Sequence, residues 1–120
     1  MIEITSGMPD NILAVTAHGM VTAQDYENIL LPAVEEALKR HEKIRVLFRT
    51  GEDFSGYTAG AMWDDAKLGV QHLTAFEKIA VVSDVPWLAQ AARVFRFLIP
   101  CPVKIFGGDR LSDAEAWIRE

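Results

Sequence analysis

The sequence predicts an α/β domain with a mainly parallel five-stranded sheet, one antiparallel edge strand near the N-terminus and about four helices. Three observations carry this. Short apolar runs alternate with stretches of helical period, in the order strand, strand, helix, strand, helix, strand, helix, strand, helix. The first two runs are separated by a short turn and so pair as a hairpin. The run Lys78 to Ser83 (KIAVVS) is almost wholly apolar, as befits a central strand covered on both faces.

Each element has its own signal. Ile2 to Thr5 alternates with period two, Ser6 to Asn11 is rich in turn residues, and Ile12 to Ala17 is continuously apolar. Thr22 with Asp25 three residues on marks a helix start, because hydroxyl and carboxylate can each satisfy a free backbone N–H. The apolar set Tyr26, Ile29, Leu30, Ala33, Val34, Ala37 and Leu38 then follows one helical face, with Pro32 predicting a kink or a break. Ile44 to Phe48 is a third strand, and Arg49 to Ala59 a long connection. A second helix runs from Gly60 to about Leu73. After the fourth strand, Ser83 or Asp84 is expected to cap a third helix, with Pro86 in its first turn and Pro100 and Pro102 ending it. Val103 to Phe106 is the fifth strand. Ser112 and Glu115 predict a capping box for a last helix ending at Ile118.

The third helix is the unusual one. Its polar stripe narrows to Gln90, Arg93 and Arg96, while Trp87, Phe95, Phe97, Leu98 and Ile99 are too many large groups for one face. Leu88, Ala91, Ala92, Phe95 and Leu98 or Ile99 fit a sheet-facing stripe, which leaves Trp87, Val94 and Phe97 toward its edges. Such a helix is core, packs on a copy of itself, or meets an apolar ligand or membrane.

Composition bounds the function. The chain has 120 residues, 50% hydrophobic and 24% charged, enough for one packed core. A net charge of −5 with no Lys/Arg cluster argues against nucleic acid as partner. The single Cys101 rules out an internal disulfide and suits a reducing cytosol. No signal peptide or membrane span is visible, so a cytoplasmic location is expected, with peripheral contact at the inner membrane face open to it.

Three stretches carry a family resemblance: MPDNILAVTAHGMVTAQDYENILLPAVEEAL, the strand IRVLF with its following loop, and EKIAVVSDVPWLAQAARVF. They resemble the STAS domain (sulfate transporter and anti-sigma-factor antagonist), and more closely the SpoIIAA-like bacterial proteins, over nearly the whole chain. The resemblance implies a STAS (SpoIIAA-like) fold and brings two functions. Anti-sigma-factor antagonists are protein–protein interaction modules switched by phosphate on a serine in an Asp-Ser-x-Gly-type turn after the third strand. The matching loop here is Thr50-Gly51-Glu52-Asp53-Phe54-Ser55-Gly56, which makes Ser55 the implied phosphoacceptor, although Phe54 separates it from Asp53. The other branch is similar to CRAL-TRIO lipid-binding domains, where a mobile apolar helix gates a cavity for an amphipathic ligand.

The leading expectation is non-enzymatic binding of an amphipathic or lipid-like small molecule. Met62, Trp63, Val70, Trp87, Phe95 and Phe97 would line the cavity, with Phe54 and Tyr57 as its lid. Trp87, Arg93, Val94, Arg96 and Phe97 would touch a membrane; residues 84–106 carry +2 against −5 for the chain, which suits an anionic surface. Ligand crevices of open α/β sheets lie at strand C-terminal ends, which places Ser83 and Asp84 beside the Arg49–Ala59 loop. His18, His41 and His72 show no metal-ligand spacing, and Cys101 has no Cys-x-x-Cys partner. No constellation supports an enzyme, a metal or a cofactor. A homo-oligomer through the third helix is the blander expectation.

Overall fold

All six residues of Ile12–Ala17 are buried, so this strand (β2) must be covered on both sides. The computed structural model describes residues 1–5, 7–61, 74–98 and 101–120, with 94–98 described by backbone alone. Strand Ile2–Thr5 (β1) pairs antiparallel with β2, Ile2 opposite Ala17. Ile44–Thr50 (β4), Phe76–Val82 (β6) and Val103–Phe106 (β7) follow in parallel. The five-stranded sheet has the order β1-β2-β4-β6-β7. Both the antiparallel edge and the parallel remainder are as the sequence predicts. Two short strands were not foreseen: Met20–Val21 (β3) and Gly56–Tyr57 (β5) form a second, parallel pair.

The alternating side chains of β2 divide the core. Leu13, Val15 and Ala17 join Tyr26, Leu30, Val34, Ala37 and Ile44 on one face. Ile12 and Ala14 join Leu47, Ala80, Val82, Phe106, Ala114 and Ile118 on the other. The first face is covered by helix α1 (23–40), and the second by α4 (Leu111–Arg119). A second helix, α2, begins at 59, and only its residues 59–61 are described. The third, α3, spans Pro86–Leu98.

Pro32 neither breaks α1 nor leaves it regular. The helix starts as an α turn at Ala23–Asp25, widens to a π turn over Tyr26–Leu30 and returns to α at Leu31–Arg40. Leu31 N–H therefore reaches back to the carbonyl of Tyr26, five residues away, and Pro32 enters at the start of the second α segment. There its ring and its missing N–H are tolerated.

Helix starts test the capping expectations. Thr22 and Asp25 form the reciprocal capping box. The α3 start differs: Ser83 Oγ accepts from Val85 N–H at 3.0 Å and Asp84 Oδ1 from Gly108 N–H at 2.9 Å, while the Val85 carbonyl takes the first helical bond. Pro86 is thus the first helical residue, one later than an Asp84 cap requires and two later than a Ser83 cap. In α4 the N-cap is Arg110 and Ser112 lies inside the helix, so the Ser112–Glu115 box does not form. The far end of α4 is held by cations instead: Arg45 Nη1 donates to the Ile118 carbonyl at 2.7 Å and Lys78 Nζ to that of Trp117 at 3.1 Å.

Two outcomes follow from this core. Ile118 is fully buried beneath α4, so Ile118→Ala lowers the unfolding free energy by about 2–5 kcal/mol, read from urea denaturation. Burial pushes the Asp25 carboxyl up, but hydrogen bonds from the Thr22 N–H, the chain's ammonium and the Thr22 hydroxyl outweigh it and hold Asp25 below its ordinary value. A depressed folded value stabilises above the unfolded one and loses that stabilisation as pH falls through the folded one. Asp25→Asn therefore lowers the urea midpoint at neutral pH and makes its decline below about pH 4 shallower.

Candidate functional site

The chains leaving β2 and β4 do not part at the sheet edge. Ala17 opposes Thr50, Gly51 N–H donates to Ala17 at 2.8 Å, Gly19 N–H to Asp53 at 3.1 Å, and Ser55 N–H to Gly19 at 2.8 Å. Met20 then opposes Gly56 and Val21 opposes Tyr57. Between the two paired stretches one chain has two residues, 18 and 19, and the other five, 51–55. The surplus bows outward as a tight loop. Gly19 with φ +55° and Gly56 with φ +140° supply backbone angles that side-chain-bearing residues avoid. The predicted Arg49–Ala59 connection is therefore strand to Thr50, a short loop, and strand again.

This pinning brings aromatic rings together. Tyr57 lies 5.4 Å from Phe54 and 5.8 Å from Trp87, and Phe54 lies 6.2 Å from Trp87, centroid to centroid. The steep angles within the Tyr57 pairs, 68° and 78°, are edge-to-face arrangements that ring quadrupoles favour. Behind them Tyr57 meets Phe48 and the buried Tyr26. The loop and the start of the apolar helix, expected as neighbours at this edge, do meet here. The three rings close on one another, and Trp87 keeps 43% of its surface exposed.

Polar groups follow the same sheet edge. His18 Nδ1 and Asp53 Oδ1 are 2.9 Å apart. The hydrogen bond from His18 holds the Asp53 carboxyl below its ordinary value. Thr50 Oγ1 donates to the buried Ser83 Oγ at 2.9 Å. Asp84 accepts from Gly108, where a Cβ would run into the Asp84 carboxylate. Ser83 and Asp84 are thus on the expected edge, tied to β4 and to the turn after β7.

The other predicted residues sort plainly. Ser55 is exposed, beside Glu52 and Asp53, acids that would repel a phosphate there. Arg93 is exposed on α3. Met62, Trp63 and Val70 lie outside the described residues, as do the side chains of Val94, Phe95, Arg96 and Phe97. Burial pushes the Cys101 thiol up, away from the thiolate a nucleophile needs. Among the described residues no three His, Cys, Asp or Glu side chains converge to hold a metal ion. The His18–Asp53 pair is the grouping that sequence reading missed. Its signal was available: His18 follows a strand adjacent to β4, so the rule that places ligand crevices at strand ends applies to it as much as to Ser83.

Comparison with known proteins is consistent in one direction. Residues 12–119 match the SpoIIAA-like family. A crystal structure from Shewanella loihica PV-4, described as an uncharacterised DUF3478-family protein with a SpoIIAA-like fold, is 31% identical with a TM-score of 0.78. The match covers 98% of this chain and 92% of that one. No curated protein sequence matches. Nothing in these comparisons supports the CRAL-TRIO likeness.

The ring contact between loop and helix is measurable. In a double-mutant cycle of Phe54→Ala and Trp87→Ala, urea unfolding should give a coupling of about 0.5–1.5 kcal/mol. Additive losses would mean that the two rings do not hold the loop to α3.

Proposed function

The chain belongs to the SpoIIAA-like family, and from that premise we propose that it binds an amphipathic, lipid-like small molecule without chemical change. The observation that carries this reading is the triangle of Phe54, Tyr57 and Trp87 at the sheet's C-terminal edge, with Trp87 43% exposed. A large apolar ring left in water forgoes about 1.5–3 kcal/mol of burial, which a ligand's hydrocarbon part recovers. The loop supplies Phe54 and Tyr57 as a lid, and α3 supplies Trp87 as the opposing wall. Met62, Trp63, Val70, Phe95 and Phe97 extend that wall in this proposal. The lid opens by separating the loop rings from Trp87, since the three are in mutual contact when shut.

The same reading lets α3 approach a membrane from one side, with Trp87, Arg93, Val94, Arg96 and Phe97 toward the surface. Among the described residues no helix is long and apolar enough to cross a bilayer, so this contact would be peripheral.

Native mass spectrometry of purified protein, followed by a dodecanoate titration on intrinsic fluorescence, tests the proposal. Expected are a bound apolar species and saturable binding that Trp87→Ala weakens about ten- to hundredfold. Flotation with phosphatidylglycerol vesicles tests the membrane contact separately. A species-free spectrum with no saturable binding overturns the ligand reading. A concentration-dependent dimer alongside it would assign the exposed Trp87 to packing between copies.

A further inference from the structure

We propose that the His18–Asp53 pair is a pH-sensitive latch on the aromatic lid, closed while the imidazole is charged and looser once it is neutral; this rests on the lid reading above. The loop's ends are fixed by backbone hydrogen bonds from Gly51 to Ala17 and from Ser55 to Gly19. Its crown, Glu52 to Phe54, has fewer ties. The Asp53 carbonyl accepts from Gly19, and Phe54 N–H donates to the Gly51 carbonyl within the loop itself. The side-chain tie to the sheet edge is Asp53 to His18, at 2.9 Å. Phe54, the next residue, carries the ring that meets Trp87.

The loop is folded closely around this pair. A Cβ added at Gly51 would fall 2.7 Å from His18 Nδ1 and 3.0 Å from Asp53 Oδ1. Only glycine lets the chain turn there without displacing the imidazole. Among the described residues, the loop sets the Asp53 carboxylate against His18, with Glu52 next to it in the chain. On the opposite side the Met1 ammonium donates to the His18 carbonyl at 2.7 Å and is paired with Asp25 on α1 at 3.2 Å. The ammonium is paired with Asp25 and also acts at longer range on Asp53, and among the described residues Asp53 is the carboxylate in contact with the imidazole.

A charged imidazole adds the modest attraction of a partly exposed ion pair to the hydrogen bond that a neutral imidazole N–H still donates to the carboxylate. Imidazoles change charge between about pH 5 and 8. Across that range a carboxylate stays ionised, so an imidazole that gives up its proton leaves a single hydrogen bond where there was an ion pair, and the weaker tie lets Phe54 leave Trp87 more often. Both side chains are partly in water, which limits the effect to a few-fold.

Hydrogen-exchange mass spectrometry of peptides covering 51–57 tests this on the whole chain without ligand. Rates are converted to protection factors so that the chemical pH dependence cancels. Protection should fall about threefold from about pH 5.5 to about pH 8. In His18→Gln and in Asp53→Asn it should be flat with pH, whereas a merely structural role would lower it equally at both ends. A flat profile in the unaltered chain, or the same fall in His18→Gln, overturns the latch. Because no ligand is involved, that failure is distinct from a failed dodecanoate titration, which would remove the ligand reading and leave the loop's pH response standing.

Discussion

The parallel pairing of β2 with β4, resumed beyond the sheet by β3 and β5, is the constraint on which the rest depends. Two chains that would ordinarily diverge at the sheet edge stay hydrogen-bonded from Ile12 and Arg45 to Val21 and Tyr57. Because one side has three residues more than the other between the paired stretches, the excess must bow out, and its crown carries Asp53 and Phe54. The loop's share of the candidate site inherits its position from this pairing and its mismatch. Tyr57 is placed by its pairing with Val21, His18 by the end of β2, and Phe54 by the length of the bow. A loop tethered at both ends and along its length also loses little entropy when it orders, so a few ring contacts suffice to hold it on α3.

The sheet is wound in one direction, each new strand added on the same side of the last, from β2 to β7. Helix α1 and the loop aromatics then share one face, and α4, after the last strand, covers the other. That division separates stability from function. The α4 face is sealed by Phe106, Ala114 and Ile118, and its helix end by Arg45 and Lys78. The Lys78 ammonium also lies 4.9 Å from the Trp117 ring, a cation–π contact that accounts for one of the chain's tryptophans as packing. The face bearing the loop is the one where an exposed tryptophan is left.

The strands were legible because their signals are local. Ile2–Thr5, Ile12–Ala17 and Val103–Phe106 read directly from alternation or continuous apolarity, and the Thr22–Asp25 box from spacing alone. What failed was settled by distant partners. Ser83 and Asp84 look like caps, but Thr50 and Gly108 claim their oxygens. Ser112 and Glu115 look like a box, but the turn after β7 starts the helix two residues sooner, at Leu111. Strands β3 and β5 have two residues each, too short for any period, and exist through each other. Of the site, the meeting of loop and α3 followed from strand-end geometry. The His18–Asp53 pair, 35 residues apart in sequence, needed the register of β2 on β4 to become visible.

The apolar excess of α3 takes on a narrower meaning in this light. Apolar content alone fits core, copy or ligand equally well, because burial is non-directional. Ring geometry is directional. Trp87 meets Tyr57 edge-to-face and Phe54 at a tilt of 34°, yet remains nearly half in water. A tryptophan intended only as core would be covered by the helix's own packing, with no need of a loop. One held by a tethered loop, and only in part, can exchange those contacts for others at small net cost, since each ring pair contributes only about 0.5–1.5 kcal/mol beyond burial. What distinguishes this helix is therefore the replaceability of what covers Trp87, and that property belongs to the Gly51–Tyr57 segment as much as to α3.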